Sequence, residues 1–163
     1  KMIAQIANGG YKIKPSFNAN DQFLFGEKII QNDDHLKLIQ NALDVATNEW
    51  RGTSYRSRLK GDLKYCGKTG TSQVRKITQE QRDLNIKNKD LPWKYRDHSL
   101  FTGYGPVSNP EYAVSVIIDH GGSGSSKAAP ISKKVMSKVS GMMPKAIDNA
   151  MPSTTGKSIP FNK

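Results

Sequence analysis

The chain has 163 residues, 36% hydrophobic and 24% charged, with 25 Lys and Arg against 14 Asp and Glu and a net charge of +11. That composition suits one domain with a modest core, and no apolar run of about 18 residues is present to span a membrane. The single cysteine excludes an internal disulfide and a four-cysteine zinc site. The basic residues are spread along the chain, and their densest cluster, Arg56 to Lys60, has only Tyr55 beside it. Nucleic acid is therefore not an expected partner. An anionic polymer or a carboxylate-bearing substrate fits the charge.

Lys1 enters a helix at once, which suggests a piece of a longer protein, and no signal peptide is visible. Met2, Ile3, Ile6 and Ala7 have helical spacing, and Asn8-Gly9-Gly10 supplies the stop. Tyr11 to Pro15 reads as an extended lead-out. Phe23-Leu24-Phe25 is expected to form a short strand or pack on the core. Asn32-Asp33-Asp34 offers an N-cap and negative charge for a second helix. Leu36, Ile39, Leu43, Ala46 and Trp50 make its apolar stripe, and Gly52 ends it. Lys64 to Val74 reads as a strand with two internal glycines, places where a backbone or ligand comes close.

Arg75 to Asp97 is too long for a tight hairpin and too polar for a core. Leu91-Pro92-Trp93 is its expected anchor. His98 to Gly105 and Glu111 to Asp119 are two further strands, joined by a loop at Pro106 to Pro110 and expected to pair antiparallel. Gly121 to Ser126 reads as a flexible turn or, alternatively, an anion cradle at a helix start. Ala128 to Met143 is the last helix, with Ile131, Val135, Val139 and Met142 on one face. Residues 144–163 read as a flexible tail. Helix, helix, three strands, helix gives an α+β fold, an antiparallel β-sheet packed against α-helices. Three strands are few for this length, so the sheet is expected to be partial.

Gly67-Lys68-Thr69 first suggests a phosphate-binding loop, and Val114 to Asp119 a magnesium-holding strand. The spacing excludes this: the required first glycine position is Asp62, and no helix-forming run follows. Lys68-Thr69-Gly70 also matches the third motif of the penicillin-recognising serine enzymes. Its surroundings carry the likeness further. Ala7-Asn8-Gly9-Gly10 with Pro15, Gly52-Thr53, Gly67 to Val74, Asn109-Pro110-Glu111-Tyr112-Ala113-Val114-Ser115-Val116, Gly121-Gly122 and Ala128-Ala129-Pro130 follow in one order. Together they resemble the C-terminal part of a class B penicillin-binding protein transpeptidase domain, a resemblance that covers residues 1–143 of this chain. Arg96-Asp97-His98 resembles the elongation-type subfamily, penicillin-binding protein 2.

The resemblance implies a partial β-lactamase-like fold and a serine-type peptidoglycan D,D-transpeptidase. Lys68 would supply positive potential beside the serine and the substrate carboxylate. Thr69 and Thr71 hydroxyls would bind that carboxylate, Gly70 would leave room for substrate backbone, and the Thr71 N–H would donate to the oxyanion. Lys68 and Thr71 lie on opposite faces of a regular pleat. One ligand reaches both if it lies along the strand edge, as an added β-strand, or if the glycine twists the strand. The resemblance further implies stem peptides and β-lactams as ligands, and a SEDS-family glycosyltransferase with the elongation machinery as partners. It implies no cofactor or metal, and a place on the periplasmic side of the inner membrane.

The nucleophile is expected to be absent from this chain. Ser57-Arg58-Leu59-Lys60 and Ser16-Phe17-Asn18 mimic the family's Ser-x-x-Lys and Ser-x-Asn motifs in the wrong order. Cys66 reads as a small buried strand residue. His35, His98 and His120 read as surface or loop residues, with Asp97-His98 orienting the long loop. The alternatives are a non-catalytic module that binds cell-wall polymer or a partner, and a related β-lactamase or β-lactam sensor. A partial sheet also leaves an edge for self-association.

Overall fold

A computed structural model describes residues 1–18, 26–84 and 86–142. The Phe23-Leu24-Phe25 stretch and the 144–163 tail lie outside the described residues. The elements run α1 (Met2–Ala7), α2 (Asp33–Asn48), β1 (Cys66–Ser72), α3 (Gln79–Asp83), β2 (His98–Gly105), β3 (Tyr112–Ile118) and α4 (Ala128–Met142). Short 3-10 turns sit at Tyr55–Ser57, Gly61–Leu63, Asn88–Asp90 and Trp93–Tyr95. The strands form one antiparallel sheet in the order β1-β2-β3. Gly67 pairs with Gly103 and Thr71 with Ser99, while Phe101 pairs with Val116.

The sheet has helices on both faces. On one, Tyr65, Phe101 and Val114 pack against Ala128, Ala129 and Met136 of α4. On the other, Cys66 and Tyr104 pack against Ile3 of α1, with Leu43 of α2 beside them. The glycine stop after α1 forms as the sequence predicts, with Gly9 at φ +90° and Gly10 at φ +88°. A Cβ on Gly10 would lie 2.8 Å from the Ile30 Cβ, so the site also has no room for a side chain.

Helix α2 starts as expected. The Asn32 side chain accepts from the Asp34 and His35 amides at 2.9 and 3.1 Å, and Asp33 and Asp34 occupy the first turn. Its packed face keeps Leu36 and Leu43 of the apolar stripe but not all of it. Leu36 and Thr47 are buried, whereas Ile39 is exposed and Trp50 lies beyond the helix end, 70% exposed. The cause is polar docking onto the β1 segment. Lys64 pairs with Asp44 at 2.9 Å, Asn48 Nδ2 donates to the Tyr65 carbonyl at 2.9 Å, and Thr47 bonds both backbone groups of Gly67 at 3.0 Å. These bonds bring Thr47 into the packed face beside Leu36 and Leu43 and leave Ile39 in solvent.

Helix α4 shows the same kind of shift. Ala128, Ala129, Ser132 and Met136 are buried, whereas Ile131 and Val135 are exposed. Small residues let the helix approach the sheet closely, and the Phe101 ring fills the space that remains. Ser99, itself buried, fixes the helix start by accepting from the Ala128 N–H at 3.1 Å. The Gly121–Ser126 turn is packed at Gly124, while Ser123, Ser125 and Ser126 are exposed. A Cβ on Gly124 would lie 2.4 Å from the Leu100 oxygen and 2.5 Å from the Gly70 oxygen. Ser99 Oγ donates to the Ser123 carbonyl at 2.9 Å.

Candidate functional site

Strand β1 changes character along its length. Cys66 and Gly67 are buried, Thr69 and Gly70 half-buried, and Lys68, Thr71 and Ser72 exposed. Gly67 sends both its backbone groups to Thr47, away from β2. Backbone direction alternates along an antiparallel strand, so Thr69 and Thr71 direct their N–H and C=O to the same outer edge. Helix α2 covers that edge only as far as Gly67. From Lys68 onward no described strand pairs with it.

Lys68 begins on the opposite face from Thr69 and Thr71, as the pleat requires. Its Nζ nevertheless curls round to donate to the Thr69 carbonyl at 3.1 Å. The ammonium therefore sits on the outer edge with the Thr71 N–H. Thr69 Oγ1 donates to Thr53 Oγ1 at 3.0 Å. Thr53 was not among the expected site residues. The signal was present, since Gly52-Thr53 is one of the family-like motifs, but sequence alone assigns it no role. Beneath this row, Gly124 lies against Gly70 and fixes the strand from behind.

The long loop is held at the far end of β1, where Ser72 pairs with His98. It carries α3 and two 3-10 turns, and Trp93 is only one of its anchors. Asn88 Nδ2 donates to Asp97 Oδ2 at 2.7 Å. Arg96 donates to the Leu91 and Lys89 carbonyls at 2.9 and 3.1 Å. The Trp93 ring meets His120 edge-on at 4.4 Å, and His120 lies 4.8 Å from His98. His98 Nδ1 accepts the His120 N–H at 3.0 Å, with His120 at φ +54°. Asp97 and His98 thus orient the loop base.

Neither serine mimic has the geometry of its motif. Ser57 is buried in a 3-10 turn that Arg58 leaves in an extended conformation, so Ser57 and Lys60 do not share a helical turn. Asn18 N–H donates to Ser16 Oγ at 3.0 Å, a local turn at an exposed site. Cys66 is fully buried. Burial pushes its thiol up from 9.0 to about 11, against the opposing effect of a hydrogen bond with Tyr104. Burial also raises the Tyr65 and Tyr104 hydroxyls above their usual range. The folded state therefore holds all three neutral. For the thiol, the resulting stability is complete below the unfolded value of 9.0 and is lost as pH rises through about 11. Urea midpoints should stay flat from neutral pH to about 9 and fall above it. A midpoint still flat at about pH 11 would contradict this.

The fold is shared with solved structures of the penicillin-recognising class. The chain superposes on a Helicobacter pylori penicillin-binding protein (PBP2), solved in complex with MreC, with a TM-score of 0.70, covering 85% of this chain and 23% of that one at 24% identity. It matches Pseudomonas aeruginosa PBP2 with a TM-score of 0.63 at 27% identity, over 85% of this chain and 28% of that one. The chain belongs to the penicillin binding protein transpeptidase domain family, which matches residues 1–137. Among curated relatives, the peptidoglycan D,D-transpeptidase MrdA of Haemophilus influenzae is 35% identical over 55% of this chain and 13% of its own length. The MrdA of Salmonella typhimurium is 32% identical over 61% of this chain and 15% of its own length. The chain thus spans less than a sixth of these relatives.

Proposed function

We propose that the chain is the C-terminal part of the transpeptidase domain of an elongation-type, class B peptidoglycan D,D-transpeptidase, and that it forms one wall of the cleft. The observation that carries this reading is the open outer edge of β1. Lys68 Nζ, the Thr69 hydroxyl and the Thr71 backbone stand there, and α2 stops short of them. A stem peptide ending in D-Ala-D-Ala adds along this edge as a further strand. Lys68 attracts its carboxylate, Thr69 and Thr71 bind it, Gly70 admits its backbone, and the Thr71 N–H receives the oxyanion. The attacking serine comes from another part of the protein. It forms the acyl-enzyme by displacing D-Ala, an amine of a neighbouring stem then displaces the serine, and β-lactams acylate the same serine. The protein works on the periplasmic face of the inner membrane with a SEDS-family glycosyltransferase and the elongation machinery. No described helix is long and apolar enough to cross a membrane. By analogy with the Helicobacter pylori complex, MreC is a candidate partner.

Titration of the labelled chain with D-Ala-D-Ala peptide tests the cleft wall. Amide shifts should appear at Lys68 to Ser72, and Lys68→Ala should weaken binding roughly ten-fold, the scale of one charge-assisted bond. Binding indifferent to Lys68→Ala but abolished by salt would favour a charged binding module instead. The chain alone should take no covalent label from a fluorescent penicillin, and labelling at Ser57 would overturn the assignment of the nucleophile. The outer edge of β3 lacks a described strand partner. It is where a second copy would pair, detectable as a concentration-dependent dimer on sizing.

A further inference from the structure

A groove of about 760 Å³ lies between the Trp50–Ser57 segment, the Ser125-Ser126 turn and α4. Arg56, Lys133 and Lys134 line it, together with hydroxyls including Ser125 and Ser137, and no Asp or Glu does. None of the three cations forms an ion pair among the described residues. Three like charges around one depression repel one another, and an anionic ligand relieves that repulsion. The groove also connects with the Lys-Thr-Gly edge. Thr53 lines it, and the Thr53 hydroxyl accepts the hydrogen bond of Thr69 on β1.

We propose that this groove is a second subsite, one that binds a carboxylate-bearing peptide. Its assignment to a peptidoglycan stem rests on the cleft-wall reading above; its anion chemistry does not. Three points favour a peptide over a membrane surface. The cations line a concave depression, whereas a bilayer presents a broad face. Hydroxyls stand among them to bond carboxylate oxygens. Thr53 makes the groove continuous with an edge suited to an extended chain, so a peptide along β1 passes Thr69 and meets Arg56 and the α4 lysines next.

The test uses the isotopically labelled 163-residue chain. The probe is acetyl-Ala-Glu-Ala-Ala, compared with its fully amidated counterpart. Amide shifts should map to Thr53, Arg56, Ser126 and Ser137, and amidation should remove them. The double variant Arg56→Gln, Lys134→Gln should weaken these shifts roughly ten-fold. Lys87→Gln, a charge change at a residue that does not line the groove, should leave them within about two-fold. Shifts spread over all lysines and unchanged in the double variant would overturn the proposal in favour of diffuse charge. Stronger binding of phosphatidylglycerol vesicles through the same residues would overturn it in favour of a lipid headgroup site. Groove shifts that survive while D-Ala-D-Ala binding at Lys68 is absent would leave the subsite standing and remove the cleft-wall reading. The converse pattern would do the reverse.

Discussion

Phe101→Ala should cost about 4 kcal/mol of unfolding free energy, the range for truncating a buried aromatic. Phe101 is 1% exposed and serves two surfaces. Toward α4, it belongs to the cluster with Ala128, Ala129 and Met136, and its ring lies 5.9 Å from that of Tyr65. Toward the sheet, it covers the Gly67–Gly103 pair. A Cβ on Gly67 would fall 2.6 Å from Phe101 Cζ, and one on Gly103 2.9 Å from Cε1. The ring occupies the space that two missing side chains leave, the arrangement in which an aromatic protects facing glycines. Alanine would open a cavity in the middle of the sheet and uncover this backbone. Urea unfolding checks the result. Phe101→Leu should lose much less, about 1–2 kcal/mol, because most of the volume remains. A loss below about 1 kcal/mol for Phe101→Ala would show that the cluster collapses to fill the gap.

Much of this architecture is legible in the sequence, and its misses share a cause. The strands at Cys66–Ser72, His98–Gly105 and Tyr112–Ile118 follow from β-branched and aromatic runs with turn residues between them. The caps of α1 and α2 follow from Asn8-Gly9-Gly10 and from Asn32. The α2 stripe is right at Leu36 and Leu43 and misses at Ile39 and Trp50, whereas the α4 face is missed at Ile131 and Val135. On α2 the sequence favours Leu36, Ile39, Leu43, Ala46 and Trp50, and the structure packs Leu36 and Leu43 but adds Thr47 in place of Ile39 and Trp50. On α4 it favours Ile131 and Val135, and the structure buries Ala129 and Ser132. Apolar periodicity cannot register a helix held by hydroxyl and amide bonds to a strand edge, nor one drawn close by small residues. In the site, Lys68, Thr69, Gly70 and Thr71 are visible as a motif, but their shared edge is not. That edge depends on where α2 stops and on a lysine that turns back on its own strand. Thr53 became visible only through its bond to Thr69.

Thr47→Val should be costly although it keeps the shape of the side chain. Thr47 is fully buried at the last turn of α2. Its hydroxyl accepts from the Gly67 N–H and approaches the Gly67 carbonyl, both at 3.0 Å, and it lies 3.1 Å from Ser54 Oγ. One side chain thus satisfies a strand edge that has no neighbouring strand among the described residues. Ser54 has its own acceptor, the Ala46 carbonyl at 3.0 Å, which leaves the Thr47 proton for the Gly67 carbonyl. Valine removes both functions and leaves a buried N–H and a buried C=O without partners. Each such group costs about 1–3 kcal/mol, so a loss of about 3 kcal/mol is expected. Thr47→Ser restores the hydroxyl and should recover most of it. The local readout separates this cause from general loosening. Exchange of the Gly67 amide should quicken in the valine variant more than that of Thr102 or Val116, which stay within the sheet. Gly67 precedes Lys68 directly, so the valine variant should also bind D-Ala-D-Ala peptide more weakly, and the serine variant should not. Equal stability of all three forms would mean that another group satisfies Gly67, and that α2 does not set where the open edge begins.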